Sequence, residues 1–156
     1  ERYPGPNRNT WNRYSDGEFW FSYDAGPVHF LGLPGTYAPT DVGSAQYEFA
    51  KYDLTHVNRE VTPWVVVLFH TPLYNSNGNH YQEGFKMQGD MEGLLFVWGV
   101  DIVFNGHIHA YERSHPVFRD QPDACGITHI VVGDAGNYKG PAVGLGAWKE
   151  PQPAWS

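Results

Sequence analysis

Cysteine is nearly absent from this sequence: Cys125 stands alone among 156 residues. No disulfide can close within the chain, which excludes a disulfide-stapled scaffold. Cys125 is either a small buried or free thiol, or it pairs with sequence outside this chain. Basic residues are also scarce, with 10 Lys and Arg against 17 Asp and Glu and a net charge of −7. No basic cluster of the kind nucleic acid needs is present, so nucleic acid is not an expected partner. A phosphate substrate is not excluded, because bound metal ions supply local positive charge. No apolar run is long enough to span a membrane, and no signal-peptide pattern appears. The chain opens on Glu1 rather than Met, so a missing signal says nothing about compartment. There is no N-x-Ser/Thr sequon, no internal repeat and no low-complexity linker.

What is present suits one loop-rich domain. Hydrophobic residues make up 41% and aromatics 16%, enough for a sizeable core, with 18 Gly and 12 Pro to punctuate it. Residues 1–18 read as loop. Phe19-Trp20-Phe21-Ser22-Tyr23 and Val28-His29-Phe30-Leu31-Gly32-Leu33 flank Asp24-Ala25-Gly26-Pro27, which predicts a hairpin. His29 then reads as an ordinary strand residue. Tyr47, Ala50, Leu54 and Val57 recur at helical spacing after Ser44, a capping residue, so 44–57 reads as a helix. His56 sits near its end, solvated or engaging the last carbonyls. Trp64–Phe69 is the most continuously apolar stretch and fits a strand covered on both faces. Residues 83–98 read as a helix weakened by Gly89 and Gly93. Val100–Phe104 and Thr128–Val132 read as further strands, with His129 a satisfied core histidine. His115 carries no motif. Trp148 and Trp155, in the irregular tail, are expected to cover apolar surface.

Chemistry concentrates just beyond strand ends. His70 follows Trp64–Phe69, and His107 and His109 follow Val100–Phe104 and Gly106. Ligands bind outside the carboxyl ends of strands in sheets with crossover helices. In extended chain, residues two apart point the same way, so His107 and His109 would reach one metal or two neighbouring ones. Gly106 is expected to let the backbone turn closely beneath them. Imidazole suits Zn, Fe, Cu and Ni.

The blocks Phe69-His70-Thr71-Pro72-Leu73-Tyr74-Asn75-Ser76, Asn79-His80 with Glu83-Gly84, Gly106-His107-Ile108-His109-Ala110-Tyr111-Glu112-Arg113-Ser114 and Gly133–Asn137 resemble, in order and spacing, the purple acid phosphatases of plant type. These are binuclear metallophosphoesterases. The resemblance implies an α/β (α+β) fold, part of a β-sandwich flanked by helices in four layers. Residues 1–115 would be the C-terminal half of the metallophosphoesterase domain and 116–156 the family's C-terminal segment. It implies hydrolysis of small phosphate monoesters by a centre of Fe(III) plus Zn, Mn or Fe. His70 and His107 look like ligands of the divalent metal and His109 like a ligand of the ferric ion. His80 looks like the catalytic histidine that contacts phosphate and protonates the leaving group. Asn79 and Glu83 fall at neighbouring substrate positions. Asn79 stands where plant-type members often carry a second histidine, so a neutral amide replaces a positive donor. Glu112 and Arg113 are read as orienting the histidines from behind. Asp134 and Asn137 read as a turn.

The family's GDxG, GDxxY and GNHE blocks, which supply the carboxylates, tyrosinate and asparagine of the centre, are not found in their places before His70. The chain therefore reads as the C-terminal portion of a longer enzyme, weak or inactive by itself. The family also implies secretion or a vacuolar location, no membrane partner, and a homodimer for the full-length protein. Two other readings stay open. One is a different metallophosphoesterase, acting on diesters or nucleotide pyrophosphates. The other is a non-catalytic module whose His70, His107 and His109 hold one structural zinc.

Overall fold

The structure is a computed structural model that describes residues 19–78, 80–134, 136, 140–142 and 152–156, and the backbone of 15–16. The expected hairpin forms: β2 (Trp20–Ala25) pairs antiparallel with β3 (Val28–Leu33). A two-residue strand, β1 (Ser15–Asp16), joins β2 at the edge, inside the segment expected to be loop. β3, β4 (Trp64–Phe69), β5 (Ile102–Asn105) and β9 (Thr128–Val132) then run parallel in adjacent positions. β6 (Tyr111–Arg113) closes the far edge antiparallel to β9, giving the order β1-β2-β3-β4-β5-β9-β6. β7 (Val117–Phe118) and β8 (Gln121–Pro122) form a separate small hairpin.

Parallel neighbours require crossovers, and two helices supply them. α1 (Ala45–Thr55) carries the chain from β3 to β4. Its N-cap is Ser44, whose hydroxyl accepts from the Tyr47 amide, and His56 meets the Tyr52 carbonyl at the other end. Both ends match what the cap and dipole rules require of these residue types. α2 (Phe85–Val97) carries the chain from β4 to β5.

Ala50 and Leu54 of α1 and Met87, Met91 and Leu95 of α2 share one core with Leu31, Leu33, Val65, Val67, Phe69 and Val103. The strand residues alternate, so all of them face one side of the sheet. The opposite side carries Tyr23, Phe30, Ile102, Phe104 and Ile130, all only half-buried. The expectation of a strand covered on both faces thus holds on one face among the described residues, because both crossover helices pack on the same side. Tyr23 stacks on Phe30 along the other face, with ring centroids 5.2 Å apart.

Helix α2 forms despite its glycines because Met87, Met91, Leu94 and Leu95 bury one stripe. Gly89 and Gly93 lie on the exposed side, where an added Cβ would meet nothing within 4 Å. Gly89→Ala and Gly93→Ala should each stabilise the chain by about 0.8–1 kcal/mol, read by denaturant unfolding. Destabilisation by either variant would show that the helix surface is not free there.

Trp155 is buried and packs edge-on against Tyr74 at 5.0 Å between ring centroids, so it covers apolar surface as expected. Trp148 lies outside the described residues. Cys125 is a free, exposed thiol. No helix among the described residues is long and apolar enough to cross a membrane.

Candidate metal centre

The site is assembled at the carboxyl ends of β4 and β5. Parallel pairing brings Phe69 level with Asn105, so the residues that follow, His70 and Gly106, leave the sheet side by side. The Gly106 amide donates to the His70 carbonyl at 3.0 Å, locking the two exits together. Asn105, 2% exposed, donates from Nδ2 to the Thr71 carbonyl at 3.2 Å and so holds the loop after His70. His70 Nε2 then lies 3.0 Å from His107 Nδ1.

His107 does not sit in extended chain. Its φ is +59°, and the Ile108 amide donates back to the Gly106 carbonyl at 2.7 Å, closing a three-residue γ-turn of the rare, strained kind. The expectation that His107 and His109 point the same way from extended backbone is therefore corrected. The special conformation belongs to the histidine itself: a Cβ on Gly106 would meet only ordinary contacts, the nearest at 3.9 Å. Strain at a non-glycine residue persists only where surroundings over-determine it, and it clusters at functional sites. Here the clamp is the buried pair Ile108 and Ala110, which pack with Val131.

Gly133 completes the clamp. A Cβ there would lie 2.0 Å from the Ile108 carbonyl oxygen, a backbone atom that cannot swing away. Gly133→Ala should destabilise the chain by at least about 1–3 kcal/mol. It should also shift the His107 and His109 ring signals in NMR spectra. Unchanged ring signals would mean that the Gly133 contact does not set the histidine loop.

A second clamp holds the loop between His70 and α2. Ser76 is fully buried, and its amide donates to both carboxylate oxygens of Glu112, at 3.1 and 3.0 Å. Burial pushes the Glu112 carboxyl up, and the Ser76 bonds oppose that shift. Glu112 thus fixes the loop that carries His80, acting from behind the site through Ser76. Arg113 is exposed on β6. At the other end of the loop, Gly84 lets α2 start directly under the Pro72 carbonyl, where a Cβ would sit at 1.9 Å.

This loop delivers His80 and Glu83 to the pair already described. Glu83 Oε1 lies 2.8 Å from His80 Nδ1, and its Oε2 lies 2.5 Å from His107 Nε2. The hydrogen bonds from His80 and then His107 hold the Glu83 carboxyl below the usual range. The His80 and His107 rings meet edge-on, 4.8 Å between centroids. Burial, and after it the charge of His107, lowers His70, which favours the neutral imidazole that binds metal. Tyr37 leans on the His70 ring at 5.1 Å. Its loop is pinned by buried Gln46 of α1, which accepts from the Gly35 amide and donates to the Gly35 carbonyl.

The fold therefore gathers His70, His80, Glu83 and His107. His109 stands apart: its carbonyl accepts from the Ala142 amide at 2.6 Å, and its half-buried ring makes no hydrogen bond among the described residues. Asn79 and Asn137 lie outside the described residues, and Asp134 lies in a turn. Tyr37, Gln46 and Asn105 as supports of the site gave no signal in sequence, because each acts through a contact far along the chain. Three imidazoles and a carboxylate suit borderline divalent metals and ferric iron, so the donor set fits a metal centre.

A mixed sheet presenting such donors at its carboxyl edge is an arrangement able to hold a metal ion. The calcineurin-like phosphoesterase family matches residues 1–111, and the chain belongs to that family. Within it, the similarity is to purple acid phosphatases. The chain is 47% identical over 142 residues to purple acid phosphatase 18 of Arabidopsis thaliana, covering 91% of this chain and 32% of that protein. It is 37% identical over 166 residues to a phosphoenolpyruvate phosphatase of Allium cepa, covering 99% of this chain and 33% of that protein. The structure of purple acid phosphatase PPD1 from yellow lupin seeds matches with a TM-score of 0.77 at 30% identity, over 98% of this chain and 27% of that one. The chain spans about a third of the length of the curated relatives it matches.

Proposed function

We propose that this chain contributes part of the active site of an acid phosphatase, a metal-dependent hydrolase of small phosphate monoesters. The observation that carries this reading is the meeting of His70 and His107, from two different strand ends, beside the His80–Glu83 pair. His70 and His107 would hold a divalent metal and His109 a ferric ion. The divalent ion is zinc, manganese or iron. The separation of His109 from the other histidines is consistent with service to a second metal. When bound, the metal pair supplies positive charge for the phosphoryl oxygens and acidifies water.

The chain's own residues supply proton handling and orientation. Glu83 accepts from Nδ1–H of His80 and so fixes which nitrogen carries the proton. Protonated His80 then has a second N–H, at Nε2, to give to the leaving-group oxygen. His80 and Glu83 are a turn apart at the head of α2, with the Glu83 amide donating to the His80 carbonyl at 3.2 Å, so they move as one unit. On the family reading, the enzyme works outside the cytosol, secreted or in the vacuole.

The full-length protein, loaded with iron plus zinc or manganese, should hydrolyse p-nitrophenyl phosphate. His80→Ala should lower its kcat by about 10²–10⁴. Preferential turnover of a diester would overturn the monoesterase reading. This chain by itself should show weak or no turnover, since it carries only the histidine ligands. Robust turnover by the chain alone, abolished by His109→Ala, would overturn that part.

A further inference from the structure

We propose that the cavity between α2, the β7–β8 turn and Trp155 is a binding site for a protonated amine or guanidinium group, with Glu92 as its anionic floor. The cavity is separate from the strand-end histidines, none of which lines it, and the proposal does not rest on the phosphatase reading. Its volume is about 460 Å³, within the range of small-molecule sites. Aromatic walls come from distant points of the chain: Tyr74 after β4, Tyr81 and Phe85 at the head of α2, and Trp155.

Glu92 is 7% exposed and lines this space. Its Oε1 accepts from the Tyr74 hydroxyl and from the Arg119 amide, the latter at 3.0 Å. Its Oε2 accepts no hydrogen bond among the described residues, and no cation there pairs with the carboxylate. Buried charges are as a rule paired, so the partner this carboxylate lacks is a cation. The Arg119 guanidinium does not fill that place, because its Cζ lies over the Phe118 ring, 5.1 Å from the centroid. Asp120, whose Oδ1 accepts from Gln88 Nε2 at 3.0 Å, adds a second acid at the rim. Two acids against one arginine leave the lining one charge negative. Burial, and after it the Glu92 hydrogen bond, push the Tyr74 hydroxyl well above its ordinary 10, so it stays a donor to the carboxylate.

The floor is also held in place. Arg119 and Asp120 have φ of +50° and +61°, uncommon for residues other than glycine. Their amides are both spent beneath the cavity, one on Glu92 Oε1 and the other on the Tyr74 hydroxyl oxygen at 3.1 Å. Such backbone persists where its surroundings over-determine it. Tyr81 meets Phe85 edge-on at 5.4 Å between centroids, opposite the Tyr74–Trp155 pair. Aromatic faces around an acid attract an organic cation. A hard metal ion needs six or more oxygens, which these walls do not offer.

The cation comes from one of two sources, a free amine or a Lys or Arg side chain elsewhere in the full-length protein. Benzylammonium chloride is titrated by calorimetry into this chain and into the full-length protein, at about pH 6, where the amine is protonated. Benzyl alcohol is the neutral control. The chain should bind about one equivalent, with the Tyr81, Phe85 and Trp155 ring signals shifting in NMR spectra and those of His107 unmoved. Benzyl alcohol should bind at least about tenfold more weakly, a comparison made in the unsubstituted chain and independent of how any variant folds. Glu92→Gln, which can still accept from Tyr74 and Arg119, should weaken benzylammonium binding by about tenfold or more. Phe85→Leu should weaken it about threefold. Binding by the full-length protein as well assigns the site to a free amine; binding by the chain alone assigns it to the protein's own cation. No saturable binding by the chain, equal affinity for benzyl alcohol, or unchanged affinity in Glu92→Gln would each overturn the proposal. Absent monoester turnover would overturn the phosphatase reading and leave this titration unaffected.

Discussion

Replacing His129 with leucine is expected to stabilise the chain, and by more as the pH falls. His129 lies on β9 opposite Val103, 2% exposed, on the helix-facing side of the sheet and against the Tyr74 ring at 4.7 Å. Neither ring nitrogen has a hydrogen-bond partner among the described residues. A buried polar group left unpaired costs about 1–3 kcal/mol, which an apolar side chain of similar volume removes. Burial also pushes the imidazole from its ordinary 6.5 down to about 3. Between those values the unfolded chain takes up a proton that the folded chain refuses. Stability therefore falls by about 1.4 kcal/mol for each pH unit below 6.5. By about pH 4.5 the advantage of His129→Leu should have grown by roughly 3 kcal/mol over its value at neutral pH. Urea unfolding of both proteins across this range reads the difference in slope. Parallel stability curves would show that His129 finds a partner or a route to solvent. The expectation of a satisfied core histidine is corrected accordingly: His129 is core, but unsatisfied.

Asp53→Ala is expected to cost about 3–5 kcal/mol, because it strands a buried charge network. Asp53 projects from α1 into the core at 4% exposure. Its Oδ1 accepts from the Ser22 hydroxyl at 2.5 Å, and its Oδ2 lies 2.7 Å from His29 Nε2. His29 Nδ1 lies 2.6 Å from Asp24 Oδ1, so both nitrogens of a fully buried imidazole meet carboxylates. Burial pulls His29 down, but the bonds and charges of Asp53 and then Asp24 outweigh it, and the group ends above 6.5. A raised histidine stabilises the fold fully below 6.5 and loses that contribution as pH rises through its folded value. The Asp53→Ala penalty should therefore be largest in acid and shrink toward alkaline pH. A penalty below about 1 kcal/mol, or one independent of pH, would mean that the network carries no net interaction. The two buried histidines thus act in opposite directions in the acid range, His29 supporting the fold and His129 opposing it.

Those two histidines also mark where sequence reading stops. Each sits in a short apolar strand, Val28-His29-Phe30 and Thr128-His129-Ile130, and each reads as an ordinary strand residue. What separates them is whether a carboxylate from elsewhere reaches the ring. Asp53 arrives from a helix 24 residues away in sequence, and among the described residues nothing equivalent arrives at His129. The same limit governs the site. His70, His80, Glu83 and His107 were legible because short motifs carry them, and their positions at strand ends follow from apolar runs that stop. Their partnership was legible only in part. The sequence suggested His70 with His107, and those two rings meet at 3.0 Å; that Glu83 links His107 to His80 is the fold's own addition.

The sequence by itself determined the hairpin, both helices with the Ser44 cap, the parallel strands and the strand-end histidines. Each of those depends on local periodicity, cap chemistry or a motif within a few residues. Only the tertiary structure decided that both helices cover one face and that Glu112 anchors Ser76. It alone decided that His107 is held in a left-handed turn by Ile108 and Gly133, and which buried histidine meets a carboxylate. Each of those depends on atoms brought together from distant points of the chain, where a shift of one or two ångströms changes the partner and local sequence carries no record of it.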